Sequence, residues 1–231
     1  MFFRSQTAVE QTHIVAALVF ELSKVTLAHV RTRVLANLAN VDADLAGRIA
    51  TGLGCPLPAA SPAAREPIDL DLSPSLSIVN KAQATLTGRK VGILFTDGSS
   101  STTIAKLAAD VRAAGATPVL IAPRLLHIGT KPKAMDADGQ LAGTPSVTCD
   151  AIAIVVTEQG AATLAADAAA VQFVADAYAH LKAIGHTPQA QLLLDRAHVA
   201  PGDGVVDLGP DFIDAAGRRH YLREANSHPL P

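Results

Sequence analysis

Three short apolar runs constrain the fold of this chain more than any other feature. They are Lys90-Val91-Gly92-Ile93-Leu94-Phe95, Pro118-Val119-Leu120-Ile121-Ala122 and Ala151-Ile152-Ala153-Ile154-Val155-Val156. Near-continuous apolar character over so few residues is the pattern of strands covered on both faces, as in parallel sheets. Helical faces lie between and after them. Ile104, Leu107, Ala108 and Val111 recur at helical spacing and are closed by Gly115, and Ala161–Leu181 reads as one further helical stretch. Lys182-Ala183-Ile184 starts another strand, Val205-Val206-Asp207-Leu208 a last strand and Phe212–Leu222 a last helix. Asp136-Ala137-Asp138-Gly139 reads as a hairpin turn. Alternation of strand and helix predicts an α/β domain built on a doubly wound parallel sheet.

The first fifty residues follow a different rule. Thr7-Ala8-Val9-Glu10 is a capping box, with Thr7 as N-cap and Glu10 reaching back to it. Ile14, Ala17, Leu18, Leu22 and Val25 then line one helical face, and helical character continues through Val30, Val34, Leu35 and Leu38. Asp42 caps another short helix with Leu45, Ile49 and Leu53 inward, stopped by Gly52 and Gly54. From Cys55 to Pro74 the chain holds Pro56, Pro58, Pro62, Pro67 and Pro74, too many for a helix or a central strand. The expected organisation is a helical arm over 1–54, a proline-rich linker over 55–87 and an α/β domain over 88–231, with the boundary near Leu86–Gly88.

Composition narrows the function. With 231 residues, 49% of them hydrophobic, the chain can bury one main domain of about 100–200 residues plus an extension. A net charge of −2 argues against a nucleic-acid surface, and 3% aromatic content without Trp argues against stacking platforms for single strands. Cys55 and Cys149 form neither a CxxC pair nor a Cys/His cluster, so neither a zinc site nor a disulfide framework is indicated. The first residues lack a basic segment leading into a long apolar run, and Ile14–Phe20 is too short to span a bilayer. A soluble, cytoplasmic protein is expected.

The run from Thr7 to Val25, TAVEQTHIVAALVFELSKV, resembles the helix that follows the haem domain in monofunctional catalases. Arg31-Thr32-Arg33-Val34-Leu35 and Asp42-Ala43-Asp44-Leu45-Ala46 continue the likeness. Ser73-Pro74-Ser75-Leu76-Ser77 is similar to the linker of the large-subunit, hydroperoxidase-II-type members. Gly88-Arg89-Lys90-Val91-Gly92-Ile93-Leu94 looks like the first strand of their extra C-terminal domain. The resemblance covers nearly the whole chain, and its most specific part is the EQxHIxxAxxFELSKV run.

That resemblance implies a flavodoxin-like domain, similar to PfpI-like proteins and class I glutamine amidotransferases. It also implies a parent enzyme that converts hydrogen peroxide to water and dioxygen at a haem. The family's distal His and Asn and its proximal Tyr, set in Arg-x-x-x-Tyr, belong to an upstream domain. The residues four before Tyr178 and Tyr221 here are Val174 and Gly217. No catalytic, cofactor-binding or metal-ligating residue is therefore assigned, and haem is expected in the parent enzyme alone. PfpI-like relatives place a Cys on an elbow after a strand. The matching place, Gly185-His186-Thr187-Pro188-Gln189, has none, and the acidic position after the first strand falls at Thr102-Thr103.

The tempting residues read better as structural. His186 lacks a nucleophile to serve as base. Cys149 precedes a strand and reads as packing, and Cys55 is a linker thiol. Asp97-Gly98-Ser99-Ser100-Ser101 at a helix start reads as a turn and N-cap rather than an anion cradle, lacking both GxGxxG and P-loop spacing. Asp42/Asp44 and Asp69/Asp71 read as caps and solvated loop charges, and His13 as a packing or hydrogen-bonding residue. Three functions compete: a noncatalytic assembly or stabilising part of a catalase, a stand-alone PfpI-like enzyme, and a chaperone-like module. A Cys at the elbow would favour the second, and a holdase assay separates the third from the first. Expected partners are the catalase haem domain and other catalase subunits. Without that haem domain, a stripe of Ile14, Leu18, Leu22 and Val25 is expected to fold back on its own domain or to pair with another copy, self-association being the preferred reading.

Overall fold

The computed structural model describes residues 1–65, 68, 70–125 and 136–224. Pro67 of the linker and Asp69 of the Asp69/Asp71 pair lie outside them. The chain divides into two compact units, Met1–Ala82 and Gln83–Pro231.

The first unit is helical. α1 (Ala8–Ser23) opens on the capping box, with both reciprocal bonds between Thr7 and Glu10 present. α2 (Ala28–Leu38) follows, and then α3 (Ala43–Gly52), whose N-cap Asp42 accepts from the Leu45 N–H. Gly54 takes the left-handed conformation past the end of α3, at φ +64°. Phe3, Leu22, Leu35, Leu45, Ile49 and Ala50 form the buried centre, with Ile14, Leu18 and Val25 packed against it. The stripe expected to fold back or to pair with another copy thus packs against α2 and α3 of the same arm, with Leu22 buried and Ile14, Leu18 and Val25 partly so. Exposed large apolar side chains of the arm include instead Phe20 on α1 and, outside the helices, Met1, Phe2, Leu27 and Val41.

The second unit has three layers. Its sheet comprises β1 (Lys90–Phe95), β2 (Thr117–Ala122), β3 (Gly139–Gln140), β4 (Ala151–Val155), β5 (Ile184–His186) and β6 (Val205–Asp207), all parallel, in the order β3-β2-β1-β4-β5-β6. Without the two-residue β3, the order is that of flavodoxin-like sheets. Alternation sends Val91, Ile93, Phe95, Ala151, Ala153 and Val155 to one face, under α4 (Ser101–Ala113) and α8 (Pro210–Ala216). Leu94, Ile121, Ile152, Ile154 and Ile184 go to the other, under α5 (Glu158–Ala165), α6 (Ala168–Ala179) and α7 (Gln191–Arg196). Gly185 is needed for this packing. A Cβ there would meet the Phe212 ring at 2.5 Å, and Phe212 is fully buried.

Three sequence readings are corrected. Asp136–Gly139 is not a hairpin turn. Asp138 exchanges bonds with Leu120, its carboxylate accepting the Leu120 N–H at 2.8 Å, and the chain enters parallel β3. Ala161–Leu181 is two helices, because Asp167 caps a new start by accepting the Ala169 N–H. Phe212–Leu222 is not continuous: α8 ends at Ala216, and a short 3-10 turn covers Tyr221–Arg223.

Two helices of the second unit end on non-glycine residues in the left-handed conformation, Leu181 at φ 58° and His198 at φ 54°. Leu181 is buried, so its side chain offsets the strain. His198 is exposed at the end of α7, where the Val199 N–H closes onto the Leu194 carbonyl. Relieving that backbone conformation should outweigh the loss of an exposed ring. His198→Gly is expected to raise stability by about 1 kcal/mol, read as a higher denaturation midpoint with unchanged slope.

Candidate functional site

Open α/β sheets bind ligands outside the carboxyl ends of their strands, where the strand order reverses. Here that place lies between β1 and β4, whose following loops lead to α4 and α5 on opposite faces. The Ser99 hydroxyl spans the gap, accepting the Thr96 N–H at 3.0 Å and donating to the Val155 carbonyl at 2.7 Å. Thr96 is buried, and its Oγ1 sits so close to Gly160 in the first turn of α5 that no side chain fits there. Gly98, at φ +80°, packs against the Thr157 methyl. Thr187 repeats the arrangement between β4 and β5, with its hydroxyl 3.4 Å from the Val156 nitrogen and 3.3 Å from the Val156 carbonyl. Hydrogen bonds within the chain therefore cross the edge between β1, β4 and β5, while the buried Thr96 Oγ1 finds no partner among the described residues.

The sequence-selected residues fall around this edge without converging. His186 is half-buried at the end of β5, its Nδ1 3.3 Å from the Thr187 carbonyl. The chain after it continues as extended backbone, with Thr187 at φ −79°, ψ 153°. Ser100 caps α4 through the Thr103 N–H, and the Thr103 hydroxyl also bonds it. Asp97 pairs with Arg124 at the surface, 3.2 Å away. The rest lie elsewhere. Asp42 caps α3 and Asp44 pairs with Arg48; Asp71 and His13 are exposed; and Cys55 is half-buried beside the arm's core. Cys149 is buried under Gly92, and burial pushes its thiol up, away from the reactive thiolate.

Sequence reasoning missed the polar groups inside the second unit. The Lys182 ammonium donates to the Ser146 carbonyl at 2.8 Å and the Cys149 carbonyl at 2.7 Å. His220 is buried, with Nδ1 2.8 Å from the Asp203 carboxylate and Nε2 3.0 Å from the Ala215 carbonyl. Arg223 is buried, and its Nη1 and Nη2 donate to main-chain carbonyls while its Nε finds no partner among the described residues. No local motif marks these residues, because each partner lies on a different element.

Layer order and strand order define the class: a flavodoxin-like α/β domain following a separate helical unit. A family profile described as the C-terminal domain found in long catalases matches residues 87–211, and another, described as catalase-related immune-responsive, matches residues 1–53. The chain is 40% identical to "Catalase C" of Rhizobium meliloti over 230 residues, covering 96% of this chain and 32% of that protein. It is 34% identical to "Catalase HPII" of Pseudomonas aeruginosa, covering 100% of this chain and 33% of that one, and 34% identical to "Catalase HPII" of Pseudomonas putida. This chain belongs to the C-terminal domain family of long catalases. It spans about a third of the length of the curated relatives it matches.

A haem needs an axial ligand facing an enclosing pocket. Tyr178 is buried on α6 with the Arg223 guanidinium over its ring, 4.5 Å from the centroid. Both nitrogens of His220 have partners within the fold. Among the described residues, no three His, Cys, Asp or Glu side chains gather to hold a metal ion. These side chains do not fit a haem. No helix among the described residues is long and apolar enough to cross a membrane.

Proposed function

We infer that this chain is the C-terminal, noncatalytic part of a haem catalase, an enzyme converting hydrogen peroxide to water and dioxygen, and that it acts there in assembly or stabilisation. The observation that carries this reading is the carboxyl edge, where the Ser99 and Thr187 hydroxyls are engaged with backbone of the neighbouring strands and Gly185–Gln189 offers no cysteine beside His186. The same observation counts against a stand-alone PfpI-like enzyme. The haem belongs to the remainder of the parent enzyme, and this chain carries none. Its partners are that haem domain and further catalase subunits of a cytoplasmic homo-oligomer. Exposed Phe20, Leu27 and Val41 on the helical unit supply apolar surface for such contacts.

The purified chain is expected to be colourless and to release no dioxygen from peroxide. Joined to the haem portion of a long catalase in place of its own C-terminal third, it should lengthen the half-life of activity at elevated temperature. Turnover per haem should equal that of the truncated enzyme. A Soret band with peroxide turnover from the chain alone would refute the reading, as would a fusion that decays as fast as the truncated enzyme.

A further inference from the structure

The buried polar side chains described in the helical unit are gathered at one place: Ser5, Gln6, Glu10 and Ser77, none more than 9% exposed. They hold the segment from Ser73 to Lys81 against the N-terminal turn of α1. Ser5 Oγ accepts the Ser73 N–H at 2.9 Å, and Gln6 Nε2 donates to the Leu76 carbonyl at 2.9 Å. The Glu10 carboxylate accepts the Ile78 and Val79 N–H groups at 2.8 and 2.7 Å, and the Ser77 hydroxyl at 3.4 Å. It also accepts the Thr7 N–H and hydroxyl, at 2.8 and 2.9 Å. Little apolar burial assists, since the Ile78 side chain is 64% exposed and Pro74 and Ser75 face solvent. The segment is held largely by its main chain, and among the described residues seen to bond it from the start of α1 the charged one is Glu10.

We propose that Glu10 is an acid-releasable latch, whose ionised carboxylate fastens Ser73–Lys81 to the start of α1 and whose neutralisation frees that segment. An ionised carboxylate accepts from all five donors, whereas a neutral one turns an O–H toward either the Thr7 N–H or the N–H groups of Ile78 and Val79 and so loses at least one backbone donor. Desolvation pushes the carboxyl up, but the bonds from Thr7, Val79 and Ile78 together outweigh it and hold it below the ordinary range. A carboxyl so depressed stabilises the closed form above the ordinary carboxylate range and loses that effect as pH falls through its folded value. The charged groups of the neighbouring elements are otherwise placed. Lys81 of the segment bonds the Ser75 carbonyl, Arg48 of α3 bonds Thr12 and pairs with Asp44, and His13, one turn along α1, is exposed; Arg4 lies in the turn before it.

Release would change the tether between the two units. With the latch closed, about seven residues separate Val79 from Leu86, the first buried residue of the second unit, a reach of at most about 25 Å. Ser61 is itself held on α2 by the Ala36 carbonyl and the Asn40 amide. With the latch open, about twenty-five residues run from Ser61 to Leu86, a reach of at most about 90 Å.

Hydrogen exchange on the full chain tests this. At pH 7, Glu10→Gln is expected to speed exchange across residues 73–82 about tenfold while peptides of β1 and β4 stay protected. Wild type titrated into acid, below the ordinary carboxylate range and corrected for intrinsic rates, should come to show the same local opening. Ser77→Ala keeps the charge and should leave the segment protected to within about twofold. The latch is overturned if Glu10→Gln leaves the segment as protected as wild type. It is equally overturned if Ser77→Ala opens the segment as far, or if acid opens the segment only together with β1 and β4.

Discussion

Arg223→Ala is expected to lower the stability of the Gln83–Pro231 unit by about 3–5 kcal/mol and its Tm by about 10–15 °C. Arg223 Nη1 donates to the Asp203 carbonyl at 2.8 Å, and Nη2 donates to the carbonyls of Tyr178 at 3.2 Å and Lys182 at 2.7 Å. Its guanidinium also covers the Tyr178 ring. Truncation removes three charge-assisted bonds and a cation–π contact and leaves carbonyls at the Tyr178 and Lys182 positions without that donor. The individual contributions do not add, so the range stays well below their sum. Arg223→Lys keeps the charge but not the planar fork, and should recover less than half of the loss. The check is thermal unfolding followed by a probe in the sheet. A Tm within about 2 °C of wild type in Arg223→Ala would show that the last turn is not pinned by this residue.

Lys182→Met should also destabilise the domain, by about 2–4 kcal/mol, and should alter its response to alkali. Methionine matches the stem but donates nothing, so the Ser146 and Cys149 carbonyls lose their shared donor. Burial, followed by the nearby Arg219 charge, pushes the Lys182 ammonium below its ordinary value. Between its folded and unfolded values the unfolded state then binds the extra proton, so stability gains with rising pH. Below the folded value the buried charge carries its full desolvation cost. The contribution of Lys182 therefore improves as pH rises from its folded value toward the ordinary lysine range, and Lys182→Met should lack this alkaline component. Denaturant midpoints for both proteins across neutral to alkaline pH measure it. Parallel curves would show that Lys182 titrates alike in both states.

Much of the fold was legible because it follows from near-neighbour patterns. The Thr7/Glu10 box is an i,i+3 pairing, and Asp42 caps through its third neighbour, so both could be read from spacing alone. The apolar runs at Val91–Phe95 and Ala151–Val155 could become only strands covered on both faces, and they did. The misreadings arose where one residue carries two meanings. Asp138 and Gly139 have the composition of a turn, yet Asp138 serves as a side-chain partner to the backbone of a neighbouring strand. Asp167 sits inside an apolar, alanine-rich stretch whose periodicity hides the fresh N-cap it makes. Glu10 was legible as a cap and illegible as a latch, since its other partners are 68 and 69 residues away in the chain.

The candidate site divides in the same way. The absence of a cysteine from Gly185–Gln189 was plain in the sequence, because it concerns which residue types are present. That Ser99 reaches across to Val155, that Gly160 leaves room for Thr96, and that Arg223, His220 and Lys182 tie the last residues to the amino-terminal side of β5 was decided by tertiary structure alone. By itself the sequence determined a parallel α/β domain behind a capped helical arm and a family resemblance, since periodicity, caps and motifs are properties of neighbours along the chain. Only the folded chain decided which backbone groups Ser99 and Thr187 engage at the carboxyl edge and where the buried polar groups find partners. Those bonds join elements far apart in sequence, and a hydrogen bond of that kind depends on distance and direction in space, which no local spacing encodes.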